Sequence, residues 1–456
     1  MTKNLTVGNP ALLIISFTVP LLIGNLFQQF YNMADTLIVG RTIGVSALAA
    51  VGCTGSLSFL ILGFVMGFTS GTAIITAQRF GAGDEPGVRR SFAVSIVLCV
   101  IMTLILTAIS VVFTRPLLKL LRTPAEIFDG AYLYIIIIFW AGAVVVMFNL
   151  LSNVMRAVGD SRTPLIVLVV ACIINIILDY VFILVFHTGV EGAAYATVIA
   201  QLLSSLMCVL VMVKKIPILT LAKEDWKLKA EDIKKHIAVA LPMGFQMSII
   251  AIGVVVLQFA LNGMGTMAVA AFTAAQKIDT VATMPMASFG ITMATYTAQN
   301  YGARKYDRIR QGVIQSSIIS GSFAIFMGIL FFLTGSQLAA IFIGSDPGAV
   351  RLAHIYLQIN GSSYIVLAFL FIFRQTLQGL GNSFIPTIAG ILELVMRTLA
   401  AVFLPAFFGF AGLCFASPLA WVGACVPLAI ALALGMKKLL RKSLAEKKQL
   451  VQQQFR

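Results

Sequence analysis

The 456 residues are 59% hydrophobic and only 11% charged, against about 25% charged in a soluble globular chain. That balance excludes a soluble enzyme and reads as an integral membrane protein. The net charge of +15 does not mark a nucleic-acid partner, because the basic residues sit in short loops between apolar runs and not on one soluble face.

A membrane-crossing helix needs about 20 mostly apolar residues. Twelve such runs follow in order: 11–40, 47–74, 90–114, 128–154, 164–186, 192–214, 233–262, 268–297, 310–334, 350–377, 384–408 and 411–436. The expected fold is all-α, with twelve spans in two six-helix lobes, 1–214 and 233–436. A polar linker at 215–232 joins them, and a basic tail occupies 437–456. The first run is too long for a cleavable signal peptide. With an even number of spans both termini share a side, and the loops and ends on that side carry 24 Lys and Arg against 5 on the other. The excess places both termini in the cytoplasm and gives the tail a bland role as an anchor to lipid headgroups.

No stretch is long and polar enough for a catalytic domain, and no GxxxxGK[ST] phosphate loop is present. ATP hydrolysis and enzymatic chemistry are therefore excluded, and any work the chain does draws on an ion gradient. Cys53, Cys99, Cys172, Cys208, Cys414 and Cys425 all lie in apolar runs without CxxC spacing. They imply neither a disulfide frame nor a metal site, and no cofactor is expected.

The halves repeat. Ala77-Gln78-Arg79-Phe80-Gly81-Ala82 recurs as Ala298-Gln299-Asn300-Tyr301-Gly302-Ala303, at an offset of 221. Ile43-Gly44 with Ala47-Leu48-Ala49-Ala50 recurs as Met264-Gly265 with Ala268-Val269-Ala270-Ala271. Gly159-Asp160-Ser161 with Pro164 recurs as Gly381-Asn382-Ser383 with Pro386, at 222. Six spans per half give both halves the same orientation, a parallel pseudo-two-fold repeat of the kind secondary transporters use.

Charged residues inside spans are costly and functional by default. In the first half they are Asp35 in span 1 and Asp179 in span 5. Asn175 lies one turn before Asp179 and is placed to donate to it. Asn153 and Thr197 add polar groups in spans 4 and 6. Two carboxyls held out of water can take up and release a proton or bind a cation, or they can merely bridge helices. In the second half the charges are Lys277, Asp279, Arg374, Glu393 and Arg397. Glu393 and Arg397, four apart, suit an intrahelical pair, whereas Lys277 and Asp279 face different ways and need other partners. That network reads as structural or as part of a substrate path. The position matching Asp35 is Val256, and that matching Asp179 falls at Ala400-Ala401, so the carboxylate site belongs to one half. Pro20 precedes Asp35 on span 1 and is a candidate hinge. Pro242 holds the related place in span 7, Pro285 and Pro418 with Pro427 are expected to interrupt spans 8 and 12, and Pro405 to end span 11.

Tyr31-Asn32-Met33-Ala34-Asp35-Thr36 after Pro20, Arg156-Ala157-Val158-Gly159-Asp160-Ser161-Arg162-Thr163-Pro164, and Asn175-Ile176-Ile177-Leu178-Asp179 with Gly192-Ala193-Ala194 together resemble the multidrug and toxic compound extrusion (MATE) family across essentially the whole chain. The resemblance implies a two-lobed antiporter of a bacterial inner membrane that exports cationic or amphipathic drugs in exchange for H⁺ or Na⁺. It implies an ion site at Asp35, Asp179, Asn175, Asn153 and Thr197, with Pro20 as the bending proline. The family's Na⁺-coupled branch also uses acidic residues on helices 7 and 10. Spans 7 and 10 here have none, which shifts coupling to the first lobe without separating H⁺ from Na⁺. A monomer in contact with membrane lipid is expected. The rival reading is a lipid-linked oligosaccharide flippase of the same wider superfamily, for which Lys277, Arg374 and Arg397 would line a cationic cavity.

Overall fold

The computed structural model describes residues 3–120, 123–344 and 346–454, without side-chain placement at Val45, Ser56 and 446–454. Arg122 and Arg456, both used in the topology count, lie outside the described residues. Fifteen α-helices and no strand occur among those described: α1 (Pro10–Thr42), α2 (Val45–Gly81), α3 (Glu85–Leu120), α4 (Ala125–Trp140), α5 (Gly142–Ala157), α6 (Arg162–Tyr180), α7 (Val190–Lys215), α8 (Ala230–Asn262), α9 (Thr266–Gly302), α10 (Tyr306–Ile343), α11 (Pro347–Ser362), α12 (Tyr364–Gly379), α13 (Phe384–Phe403), α14 (Pro405–Cys414) and α15 (Ala416–Gln454).

Among the described residues, nine helical segments are long and apolar enough to cross a membrane, and the bent pairs α4–α5 and α11–α12 bring the number to 11. The twelfth element of the repeat is α9. It is as long as the others but less apolar, because it carries Lys277, Asp279 and many hydroxyl and amide side chains.

The sharp breaks do not fall where prolines suggested. Pro285 lies inside α9 and Pro427 inside α15, both uninterrupted, and Pro418 sits in the first turn of α15. A single proline removes one backbone bond, and a long packed helix absorbs that loss. Spans 4 and 10 instead bend by 51° and 49° at Ala141 and Ser363. There the backbone leaves helical values, with ψ 10° and ψ 1°, the sparsely allowed bridge region. Pro405 follows the end of α13 and opens α14, a position where its missing N–H costs nothing.

The repeat is visible in backbone conformation. Gly44 and Gly265 have φ of 121° and 90°, and Gly159 and Gly381 have 88° and 84°. The Gly-Asp-Ser and Gly-Asn-Ser turns then start α6 and α13 by the same device. Asp160 accepts from the Arg162 and Thr163 amides at 3.0 Å, and Asn382 accepts from Ile385 at 3.4 Å.

The chain divides into two compact units that do not follow the linker. Unit 1 holds Lys3, Val19–Phe80 and Asp84–Ser248; unit 2 holds Asn4–Thr18, Gly81–Gly83 and the described residues from Ile249 on. Helices α1 and α8 are thus each shared, α1 dividing just before Pro20. In unit 1, Gly63, Gly67 and Gly71 of α2 form a small-residue ridge that meets Met247, Met243 and Ala240 of α8. Such ridges let backbones approach closely where no water drives association. In unit 2, Thr18 of α1 shares a 2.8 Å hydroxyl bond with Thr292 of α9, and the Leu5 amide donates to Gln299 Oε1 at 2.9 Å. The linker is folded onto unit 1 as two 3-10 turns, Pro217–Leu219 and Lys223–Trp226. Arg89 pairs with Asp225 at 3.3 Å and Arg79 with Asp232.

Candidate functional site

Two polar clusters sit at the places where the sequence puts charges inside spans, one in each unit. In unit 1, Asp35 is buried late in α1 and Asp179 is fully buried near the end of α6. Packing one turn beyond Asp35 brings them together. Ile38 and Val39 of α1 join Ala47 of α2, Ile183, and Val190 and Ala193 of α7 in one apolar cluster, with Tyr134 and Ile176 against it. The two carboxyl groups are neighbours, and Tyr31 and Tyr134 face both. Immediately after Asp179 and Tyr180 the chain takes a π-helical turn, Val181–Val185. Such turns are rare and concentrate at functional sites.

The cluster is under-satisfied. Oδ1 of Asp35, both carboxyl oxygens of Asp179 and both amide atoms of Asn175 are buried without a donor or acceptor from any other residue, the two carboxyls lying within hydrogen-bond reach of each other alone. Among the described residues, no Lys or Arg pairs with either carboxyl. The bond expected from Asn175 to Asp179 is therefore not made: a shared helix face places the two residues but does not aim the amide. Thr197 accepts from Tyr31 Oη at 3.2 Å. Asn153 donates to Thr69 of α2 at 3.1 Å, which ties it to a different helix from either carboxyl. Tyr31, Tyr134 and Thr69 were not among the sequence candidates. Tyr31 had a readable signal, lying one helical turn before Asp35. The other two come from helices whose approach only folding decides.

In unit 2, Glu393 bridges two arginines. Its carboxylate accepts from Arg374 at 2.6 Å and from Arg397 at 2.8 Å. The expected intrahelical pair is thus one arm of a triad, with all three side chains 6–7% exposed. Nε of both arginines lacks a partner. Asp279 of α9 accepts from Tyr364 Oη at 2.5 Å. Lys277, two residues away, is exposed and forms no ion pair among the described residues. The five second-half charges therefore divide into a triad, a carboxyl–phenol pair and an exposed lysine.

A cation between Asp35 and Asp179 would find carboxylate oxygens with open lone pairs and two phenols beside them. No group of three or more His, Cys, Asp or Glu suited to a metal ion occurs among the described residues, and all six cysteines are free.

The profile of the MatE family matches residues 20–181 and again 242–403, two segments displaced by the 222 residues of the repeat. The probable multidrug resistance protein YoeA of Bacillus subtilis (strain 168) is 28% identical over 386 residues, covering 82% of each chain. The FAD transporter of Shewanella oneidensis is 24% identical over 419 residues, covering 89% of this chain and 90% of that one. Among solved structures, an outward-facing multidrug resistance MATE family transporter of the MOP superfamily superposes with a TM-score of 0.89 at 23% identity, over 96% of this chain and 99% of that one. A MATE in the bent conformation gives a TM-score of 0.90 at 23% identity, over 96% and 98%. Repeat, helical frame and profile agree: the chain belongs to the MatE family of multi-pass membrane transporters, the multidrug and toxic compound extrusion family.

Proposed function

We propose that the chain is a secondary active antiporter that exports drugs and organic cations from the cytoplasm in exchange for H⁺ or Na⁺. The observation that carries the reading is the neighbouring pair Asp35 and Asp179, buried against each other with no Lys or Arg paired to either among the described residues. Two carboxylates out of water repel, and one proton or one Na⁺ between them removes the repulsion. The pair thus acts as a single exchangeable site, loaded from outside and emptied inside. Tyr31 and Thr197 fix one side of it, and Pro20 is the candidate hinge within the continuous helix that carries Asp35. Substrate and ion need not touch. It is enough that each binds the inward-open and outward-open states with different affinity.

Names of relatives bear on substrate class. YoeA is called a multidrug resistance protein, and the Shewanella protein a FAD transporter. The flippase reading loses its support within unit 2, because Arg374 and Arg397 are both engaged by Glu393 and Lys277 stands apart. Ethidium and FAD uptake into everted vesicles, driven separately by a pH and by a Na⁺ gradient, tests the proposal. Dye movement under one gradient is expected. No movement of either compound under either gradient sinks the antiporter. Full gradient-driven efflux retained by Asp35→Asn or Asp179→Asn sinks the assigned ion site.

A further inference from the structure

Asp279 is an intramembrane carboxyl that the proposed exchange at Asp35 and Asp179 does not use. The one hydrogen bond to its carboxyl among the described residues comes from Tyr364, the first residue of α12 and the residue directly after the break at Ser363. Tyr364 is fully buried. Its ring lies 5.9 Å from Phe331 of α10 and 6.4 Å from Trp421 of α15. A bond from α9 therefore grips the pivot of a span bent by 49°.

The corresponding break in unit 1 shows that this bond is not what makes the bend. At Ala141 the span bends by 51°, yet Gly142 stands where Tyr364 would, and Ser58 where Asp279 would. The nearest polar contact there is neutral, from Thr107 Oγ1 to the Phe139 carbonyl at 3.4 Å. The shared scaffold builds the break without a charge. The carboxylate and phenol are additions of the second half.

We propose that Asp279 is a second proton-binding carboxyl of this chain and that its bond to Tyr364 latches the break of span 10. Ionised Asp279 accepts a charge-assisted bond and holds the first turn of α12. A proton added to Asp279 leaves a neutral acid and a bond about half as strong, while Tyr364 keeps its own proton. The latch loosens on loading and re-forms on release. The groups around it do not compete for that role. Tyr356 of α11 lies near Asp279 and also near Arg397 of α13 and Cys414 of α14. His354 of α11 is held by Ser336 of α10 at 2.6 Å. The charges of α10, Asp307, Arg308 and Arg310, lie in its first turns, with Arg308 bonded to Asn300 at 3.1 Å. The part of α8 in unit 2 has no ionisable residue, and Lys277 of α9 itself is exposed. Counting the part-buried Asp279 ionised, the charges of Arg374, Glu393, Arg397 and Asp279 balance, so one proton on Asp279 changes the sum by one.

The inference goes beyond the antiporter reading and rests on it only in giving the released break a part in transport. Three tryptophans occur in the chain, Trp140, Trp226 and Trp421. In the full chain carrying Trp140→Phe and Trp226→Phe, Trp421 alone reports on the ring of Tyr364. Its emission, followed from alkaline to acid pH without substrate or gradient, is expected to show one step. The step is expected to vanish in Asp279→Asn and in Tyr364→Phe, each checked as a monodisperse protein, and to survive in Asp35→Asn and Asp179→Asn. A flat titration of the parent, or a step that persists in either Asp279→Asn or Tyr364→Phe, overturns the latch. Dye efflux failing while the step stands removes the antiporter reading and leaves the latch in place.

Discussion

The two halves share a backbone and differ in the sign of what they bury. At an offset of 222, Asn175 of unit 1 corresponds to Arg397 of unit 2, Ala171 to Glu393, Ser152 to Arg374, and Asp179 to Ala401. The same faces of corresponding helices therefore carry a carboxyl with no cationic partner among the described residues in one half and an Arg–Glu–Arg triad in the other. The difference separates two uses of buried charge. In the triad both oxygens of the Glu393 carboxylate are taken up by guanidinium groups, so it has little left to offer a cation. An open carboxyl pair is incomplete until a proton or cation arrives. The exchange proposed above uses the half whose carboxyls have no cationic partner among the described residues, whereas in the other half Glu393 is held between two arginines.

The sharpest way to break that comparison is to open the closed triad. Glu393→Gln leaves two buried guanidinium groups without a carboxylate, and removing one partner of a buried ion network costs about 3–5 kcal/mol. A large fall in the unfolding midpoint in detergent is expected. The triple change Arg374→Met, Glu393→Leu and Arg397→Met removes all three charges together and should leave the midpoint near the parent's, or raise it, because a fully apolar replacement avoids the desolvation penalty. If the triple variant is as unstable as Glu393→Gln, the triad does more than neutralise itself.

A smaller effect distinguishes the small-residue ridge from its counterpart. Gly67 of α2 lies against the Met243 carbonyl, so closely that an added Cβ forces the helices apart. Gly67→Ala should cost about 1–3 kcal/mol, the usual range for overpacking. The corresponding residue of α9 is Ser288, which already carries a Cβ and donates to the Met284 carbonyl at 2.8 Å. Ser288→Ala should cost roughly 1 kcal/mol, the net worth of a typical hydrogen bond. Thermal midpoints of the two variants measured side by side check the ranking, and equal losses would argue against a ridge specific to α2.

How far these features could be read from sequence depends on whether they are local. The repeat was legible because glycine turns and their caps recur in register, and the structure gives Gly159 and Gly381 matching positive φ. The identities of Asp35 and Asp179 were legible because a carboxylate in an apolar run stands out by cost alone. The pair Glu393–Arg397 followed from helical spacing. The breaks at Ala141 and Ser363 were not legible, since neither residue is a breaker and the bend is set by what packs around it. The third member of the triad, 19 residues before Glu393, and the bond between Asp279 and Tyr364, 85 residues apart, depend on which helices meet. Prolines misled for the opposite reason: their local signal is strong, and α9 and α15 run on through it.

The finest test of the comparison uses the one position where the halves differ most in consequence. Asn175 and Arg397 occupy the same place, but the Asn175 amide is buried with neither atom partnered, whereas Arg397 is held by Glu393. An unpartnered buried polar group carries a desolvation penalty of about 1–3 kcal/mol with nothing to offset it. Asn175→Leu removes the amide in nearly the same volume, so stability should stay level or rise by about 1 kcal/mol. If the amide is kept for the ion or the substrate, the same variant should lose gradient-driven efflux while gaining or holding its unfolding midpoint. Efflux at the parent's rate would show that Asn175 is only a tolerated defect of the fold and would narrow the exchange site to Asp35, Asp179 and the phenols beside them.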